Sequence, residues 1–210
     1  MVTALEKIPE IEFREILEYL EKKPIEINRY RLSVGIGRSQ CFGIVGRRCL
    51  PPDLSRMSWR HAQLHKLLMD FAEKNVPIPF TSIQINEDLA CEEHIDKGNE
   101  GLSFIVGFSN KYGYHGGELN IEGYDHNIQY RGLLFDGSKM RHKTQPFRLK
   151  RYTLVYHTLA PKTRWALIVP SIKEYEAVIH EGIWKIRRVS DGEYFFGKKG
   201  LPHPLKKIKS

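Results

Sequence analysis

Apolar positions along this chain alternate between a helical and a strand period. Ile11, Phe13, Ile16, Leu17 and Leu20 fall on one broad helical face that predicts a helix over 11–23, and Pro24 stops it. Residues 27–50 switch to a strand-like alternation punctuated by Gly35, Gly37, Gly43 and Gly46. The helical period returns with Trp59, Leu64, Leu67, Leu68 and Phe71. It predicts a helix capped by Ser58 and running to about Asn75, with Pro77 and Pro79 beyond its end. Strands are then expected over 81–86, along the apolar run 102–108, and over 118–122, 126–135 and 150–158, with a loop over 111–117. Ser171-Ile172-Lys173-Glu174 reads as a capping box that opens a helix to about Glu181; 183–189 reads as one more strand, and 204–210 as a frayed basic tail. Many short strands with the helices mostly before them predict an α+β fold, a β-sandwich supported by helices on one side.

The 210 residues suffice for one sizeable core, and without an internal repeat or linker the expectation is a single domain over 1–210 and a monomer. Glu6, Lys7, Glu10, Glu12 and Arg14 fall within the first 20 residues, which argues against a signal peptide or membrane span. Cys41, Cys49 and Cys91 are odd in number and lack zinc-type spacing. Free thiols in a reducing, intracellular compartment (cytoplasm or nucleus) are the expectation, and not secretion.

The net charge of +8 is unevenly spread. Residues 27–60 carry seven Arg against one acid, and 139–210 carry 17 Lys/Arg against five acids. The middle, 61–138, is acidic, with 12 acids against five bases. Basic flanks around an acidic centre suit a polyanion held beside a site in the middle of the chain; a solvated surface is the plain alternative. Arg29, Arg31, Arg38, Arg47 and Arg48 are candidates for gripping phosphates or a substrate strand, Arg47 and Arg48 foremost, with plain surface arginines as the default. His61 and His65, four apart on a predicted helix, lack a carboxylate at a suitable place and read as surface polar residues.

Candidate chemistry concentrates between His94 and Thr153. His94-Ile95-Asp96 follows a predicted strand, and His142 follows after a long interval. Two histidines and one carboxylate make a facial triad that leaves the opposite positions of an iron(II) open. His115, His126 and His157 compete with His142, but none has the lead-in Phe135-Asp136-Gly137 and an arginine strand after it. In that strand, Arg151 offers a fork matched to a carboxylate, and Thr153, two residues on, shares its face. Gln84 and Asn86 share a face of the strand before His94.

These residues carry a resemblance. His94-x-Asp96-x-x-Asn99, Gly116-Gly117-Glu118-Leu119, Leu133-Leu134-Phe135-Asp136-Gly137, His142 with Thr144 and Pro146, and Arg151-Tyr152-Thr153-Leu154-Val155-Tyr156 occur in one order over roughly 80 residues. In this order the chain resembles the Fe(II)/2-oxoglutarate dioxygenases, and within them the TET/base-J-binding-protein branch. The resemblance implies a double-stranded β-helix core over about 79–158, with iron at its open mouth. It implies Fe(II) held by His94, Asp96 and His142, and 2-oxoglutarate anchored by Arg151 and Thr153 with Gln84 and Asn86 nearby. O₂ would be the co-substrate, although another electron donor occurs among relatives of this branch. The implied activity is hydroxylation of the methyl group of 5-methylcytosine or thymine in DNA. Asn99 matches a base-contacting asparagine, and His157 stands where TET enzymes carry a base-stacking tyrosine. Leu159 replaces a base-contacting histidine. A hydroxylase of a protein side chain or small molecule with the same iron site stays open, as does a nucleic-acid-binding module with a structural metal.

Overall fold

In the computed structural model the residues described are 1–24, 35–46, 52–160 and 171–195. In chain order they form β1 (Thr3–Lys7), α1 (Arg14–Lys22), β2 (Gly35–Val45), β3 (Asp53–Leu54), α2 (Arg56–Arg60) and α3 (Ala62–Asn75). There follow β4 (Ser82–Cys91), β5 (Asn99–Phe108), β6 (His115–Gly116), β7 (Leu119–Ile121), β8 (Tyr124–His126) and β9 (Arg131–Phe135). The chain continues through β10 (His142–Thr144), β11 (Phe147–Arg148), β12 (Tyr152–Leu159), β13 (Tyr175–His180), β14 (Ile183–Arg188) and β15 (Tyr194–Phe195).

A seven-stranded sheet runs in the order β1-β9-β5-β12-β4-β2-β3, and its strand pairs are antiparallel. Alternation along its central strands sorts two faces. Ile83, Ile85, Phe104, Val106, Phe108, Tyr152, Leu154 and Tyr156 are buried in one cluster with Phe13, Ile16 and Leu20 on the α1 side and Leu64, Leu68 and Phe71 of α3. Each such side chain taken fully out of water stabilises by about 1.5–3 kcal/mol. Tyr156 ties sheet to helix directly, its hydroxyl donating to the Leu68 carbonyl at 2.8 Å. The opposite face carries Gln84, Asn86, Ile105, Thr153, Val155 and His157 into a pocket shared with Leu119 of β7 and Phe135 of β9. The short strands β10-β7-β8 and β11-β6 form two further small sheets. Ile105, Leu119, Ile121, Ile128, Leu133 and Phe135 are buried together, with Val155 against them. A third cluster joins Ile44, Leu54 and Ala62 to Tyr175, Ala177, Ile186 and Phe195 of the β13-β14-β15 sheet.

Several expectations are corrected. Ser55, not Ser58, is the N-cap of the second helical stretch: its extended backbone lets its side chain accept from the Ser58 amide. Ser58 lies inside α2, fully buried, and its hydroxyl accepts from Gly43 N–H at 2.8 Å, fixing the helix to β2. The helix is also interrupted at His61, where φ −124° and ψ 50° leave the helical region. His65 is fully buried and not on the surface, with its ring stacked on Phe42. The capping box of Ser171 and Glu174 forms, but it closes a turn of 3₁₀ helix over Ile172–Glu174 only. Tyr175 onward becomes β13, because Tyr175, Ala177 and Ile186 share a buried face and His180 pairs with Ile183 across Glu181-Gly182. Both turn residues have positive φ, 53° and 71°, as a two-residue type I′ hairpin requires. The same geometry at Glu122-Gly123 separates β7 from β8. β1, which pairs with β9 at the sheet edge, had no sequence expectation.

Candidate active site

His94 lies three residues beyond the end of β4, and His142 opens β10. Their backbones form an isolated antiparallel bridge, each N–H donating to the other's carbonyl at 3.0 Å. Asp96 N–H donates to the Gly137 carbonyl at 2.8 Å, which draws the second ligand position to the turn before β10. Asp136 organises that turn: its carboxylate accepts from the Ser138 hydroxyl at 2.6 Å and pairs with Lys139 at 2.9 Å. Gly137 keeps room for the cluster, since a Cβ there would lie 3.3 Å from Asp96 Oδ2 and 3.6 Å from His142 Cε1.

These backbone contacts bring together one donor atom from each of His94, Asp96 and His142, all within 4.8 Å of one another. His94 Nε2 is 3.7 Å from Asp96 Oδ1, and His142 Nε2 is 3.6 Å from Asp96 Oδ2. Two imidazole nitrogens and one carboxylate oxygen this close together would suit a single divalent metal ion. Each imidazole has its other nitrogen engaged: His94 Nδ1 faces the Glu92 carbonyl at 2.6 Å, and His142 Nδ1 the Met140 carbonyl at 2.9 Å. An Nδ1–H donated to a carbonyl leaves the Nε2 lone pair for a metal. Burial opposes charge on Asp96, yet its hydrogen bond and charge interaction with His142, helped by His94 and His157, hold its carboxyl below its ordinary pKa. Burial likewise opposes protonation of His142, but Asp96 and the Met140 carbonyl raise it on balance. His115 and His126, on β6 and β8, are not part of this cluster.

Arg151 is 2 % exposed. One terminal nitrogen donates to the Gly117 carbonyl at 3.0 Å, the other more weakly to the Leu89 carbonyl at 3.5 Å, and Nε has no hydrogen-bond acceptor among the described residues. Its guanidinium lies 5.2 Å from the Phe147 ring and 5.6 Å from the Tyr114 ring. Burial draws the guanidinium below its ordinary pKa. The nearby carboxylates are held by Lys150 instead, which binds Glu87 at 2.5 Å and Asp88 at 2.9 Å. Asp88 also accepts from the Arg151 backbone N–H at 2.8 Å, but among the described residues no carboxylate pairs with the Arg151 guanidinium, although a buried cation ordinarily needs one.

Thr153, 2 % exposed, accepts from Asn86 Nδ2 at 2.9 Å. Asn86 Oδ1 in turn accepts from the Ser39 hydroxyl at 2.7 Å, and Ser39 accepts from Gln84 Nε2. Gln84, Asn86, Asn99, Arg151, Thr153 and His157 line one pocket with His94, Asp96 and His142. Arg47 and Arg48 lie outside the described residues.

Three residues escaped the sequence reading. Ser39 sits on β2 opposite Asn86. Gly107, opposite Thr153 on β5, leaves the space into which the Tyr114 hydroxyl projects: a Cβ there would be 2.3 Å from that oxygen. Tyr114 is buried beside the Arg151 guanidinium, and burial outweighs that neighbouring cation to push its pKa up to about 12, so its hydroxyl stays protonated at physiological pH. The only sequence signal for Tyr114 was its place just before Gly116-Gly117.

No protein-family model matches the chain, and no curated protein matches it. Solved structures do. A superposition on NgTET1 in complex with 5mC DNA has a TM-score of 0.54 at 13% identity, covering 75% of this chain and 72% of that one. A 2OG-Fe(II) oxygenase family oxidoreductase from Burkholderia pseudomallei gives 0.48 at 18% identity, covering 74% and 82%. A Pseudomonas putida prolyl-4-hydroxylase gives 0.47 at 12% identity, covering 76% and 92%. With its helix-backed major sheet facing the smaller sheets across the pocket, this chain has a jelly-roll fold like that of the NgTET1 structure.

Proposed function

We propose that this protein is an Fe(II)- and 2-oxoglutarate-dependent oxygenase that hydroxylates a substrate C–H bond. The observation that carries the reading is the pairing, in one pocket, of a His-Asp-His donor cluster with a buried arginine that has no carboxylate partner among the described residues. Two neutral imidazoles and one carboxylate fit a divalent metal that must keep positions open, and iron(II) is the metal this set most often serves. His94, Asp96 and His142 would hold it. Bound there, iron with 2-oxoglutarate supplies the oxidant that the protein's own side chains cannot.

The chain's residues do the rest. Arg151 Nε and its terminal nitrogens offer charge-assisted hydrogen bonds to the far carboxylate of 2-oxoglutarate. Thr153, which lines the pocket, adds a neutral donor, and the Tyr114 hydroxyl lies over Gly107, the residue opposite Thr153. Ile105, Leu119, Phe135 and Val155 give the pocket apolar walls that exclude water.

For the substrate we infer the methyl group of a pyrimidine in DNA, 5-methylcytosine or thymine. Asn99 and His157 line the pocket beside the cluster, where an amide can hydrogen-bond a base edge and an imidazole can stack on it. The basic flanks supply charge for phosphates. The fold-level likeness to a TET protein solved with 5mC DNA is consistent with this choice. The test is anaerobic loading with Fe(II), then incubation with 2-oxoglutarate, O₂ and methylated or unmethylated DNA, with mass spectrometry of succinate and of nucleosides. Oxidised pyrimidine together with succinate is the expected result. Succinate formed without any oxidised nucleoside would transfer the assignment to a protein side chain or small molecule. No succinate under any condition would overturn the oxygenase reading.

A further inference from the structure

We propose that Ser39 is a positioning residue for the co-substrate carboxylate, acting through Asn86 to turn the Thr153 hydroxyl into a donor. This rests on the functional reading above. Strand register places Ser39 of β2 opposite Asn86 of β4, and Asn86 opposite Thr153 of β12, so the three side chains form one row across three adjacent strands. All three are buried and line the pocket.

The direction of each hydrogen bond follows from what each group can give. A serine hydroxyl has a single hydrogen. Ser39 accepts from Gln84 Nε2, so its own hydrogen is left for Asn86 Oδ1, 2.7 Å away. This holds the Asn86 amide with its oxygen toward Ser39 and its nitrogen toward Thr153. Asn86 Nδ2 then donates to Thr153 Oγ1 at 2.9 Å. Thr153 is thereby an acceptor within the row, and its hydroxyl hydrogen has no acceptor among the described residues. That hydrogen is left for a ligand in the pocket, two residues along the strand from Arg151. A carboxylate can use it, because an ionised carboxylate only accepts. Without Ser39 the amide is free to reverse. Thr153 would then donate to Asn86 and present a lone pair to the incoming anion.

The experiment is a calorimetric titration of 2-oxoglutarate into the anaerobic Fe(II)-loaded protein, comparing the parent with Ser39→Ala, Ser39→Cys, Thr153→Val and the Ser39→Ala/Thr153→Val double variant. Cysteine keeps the volume with a much weaker donor and acceptor, so it tests the same point if the alanine variant fails to fold. Ser39→Ala and Ser39→Cys should each weaken binding about 3- to 10-fold, the size of one neutral hydrogen bond, with iron content unchanged. The double variant should bind no more weakly than Thr153→Val, since Ser39 acts only through Thr153. Parent-like affinity in both Ser39 variants, or additive losses in the double variant, would overturn the assignment. A loaded parent that binds no 2-oxoglutarate at all would bring down the oxygenase reading and this inference with it.

Discussion

Gly117 and Arg151 occupy a space that admits no further side chain: a Cβ on Gly117 would lie 2.7 Å from Arg151 Nε and 3.0 Å from its Cδ. Gly117 also has φ +73°, a conformation other residues resist, and its carbonyl accepts from the guanidinium. The glycine thus sets where the buried cation sits. Gly117→Ala should displace the fork and lower 2-oxoglutarate affinity by about tenfold or more, while Arg151→Ala should lower it roughly 10- to 150-fold, the range for losing charge-assisted hydrogen bonds. Neither should change iron content. Calorimetry beside metal analysis checks both, and equal affinity in parent and Arg151→Ala would place the anchor elsewhere.

The donor cluster predicts one iron per chain, lost in His94→Ala, Asp96→Ala or His142→Ala. Removing Asp96 takes away the only carboxylate of the set. Metal binding should also weaken in acid. Asp96 raises the pKa of His142 in the metal-free protein, and an imidazole must lose its proton to ligate. The expected profile is full occupancy at neutral pH and loss as the pH falls through the histidine range, read by metal analysis after dialysis. Unchanged iron content in Asp96→Ala would defeat the assignment.

The cluster was legible in the sequence because its members announce themselves locally: His94 and Asp96 are two apart, and His142 follows a Phe-Asp-Gly turn. Alternation on β4 and β12 also showed which side chains share a face, so Gln84, Asn86, Arg151 and Thr153 could be grouped. What stayed hidden depends on pairing between distant strands. Ser39 joins the row only because β2 pairs with β4, and no local pattern states that register. Tyr114 matters only because Gly107 lies opposite Thr153 and leaves a gap. The caps show a different failure. Ser55 and Ser58 are both plausible N-caps, and tertiary contact with Gly43 decides between them. Ser171 and Glu174 signal a helix start, but β pairing across Glu181-Gly182 outweighs it after one turn.

His65 predicts acid sensitivity. It is fully buried, neither ring nitrogen has a hydrogen-bond partner among the described residues, and burial lowers its pKa to about 4. A folded pKa below the unfolded value of about 6.5 means that the unfolded chain binds the proton first, so stability is complete above that value and falls as the pH drops toward 4. At about 1.4 kcal/mol per pH unit this group alone removes on the order of 2 kcal/mol between pH 7 and pH 5. His65→Leu should abolish that part of the loss and, by removing two unsatisfied nitrogens, should not destabilise at pH 7 by more than a modest repacking cost. Urea unfolding of both proteins at pH 7 and pH 5 gives the comparison. An identical pH dependence would show that His65 is hydrogen-bonded or hydrated in solution.

Substrate choice separates two kinds of contact. If the basic flanks hold DNA, log K should fall with log salt at about 0.9 per phosphate neutralised on duplex DNA. Replacing Arg47 and Arg48 together should flatten that slope by up to about 2 and weaken all sequences alike, because phosphate contacts position the duplex without reading it. Asn99→Ala should do the reverse. Asn99 begins β5 beside the donor cluster, with its backbone N–H donating to the Asp96 carbonyl at 2.9 Å; under the proposed function its side chain meets the base and not the phosphates. Its loss should leave the salt slope intact and lower turnover of the methylated base about tenfold, the size of one base-edge hydrogen bond in a closed pocket. Filter binding across salt and nucleoside mass spectrometry measure the two effects independently. A flat salt response in the parent, with no change in turnover for Asn99→Ala, would point to a protein or small-molecule substrate for the same iron site.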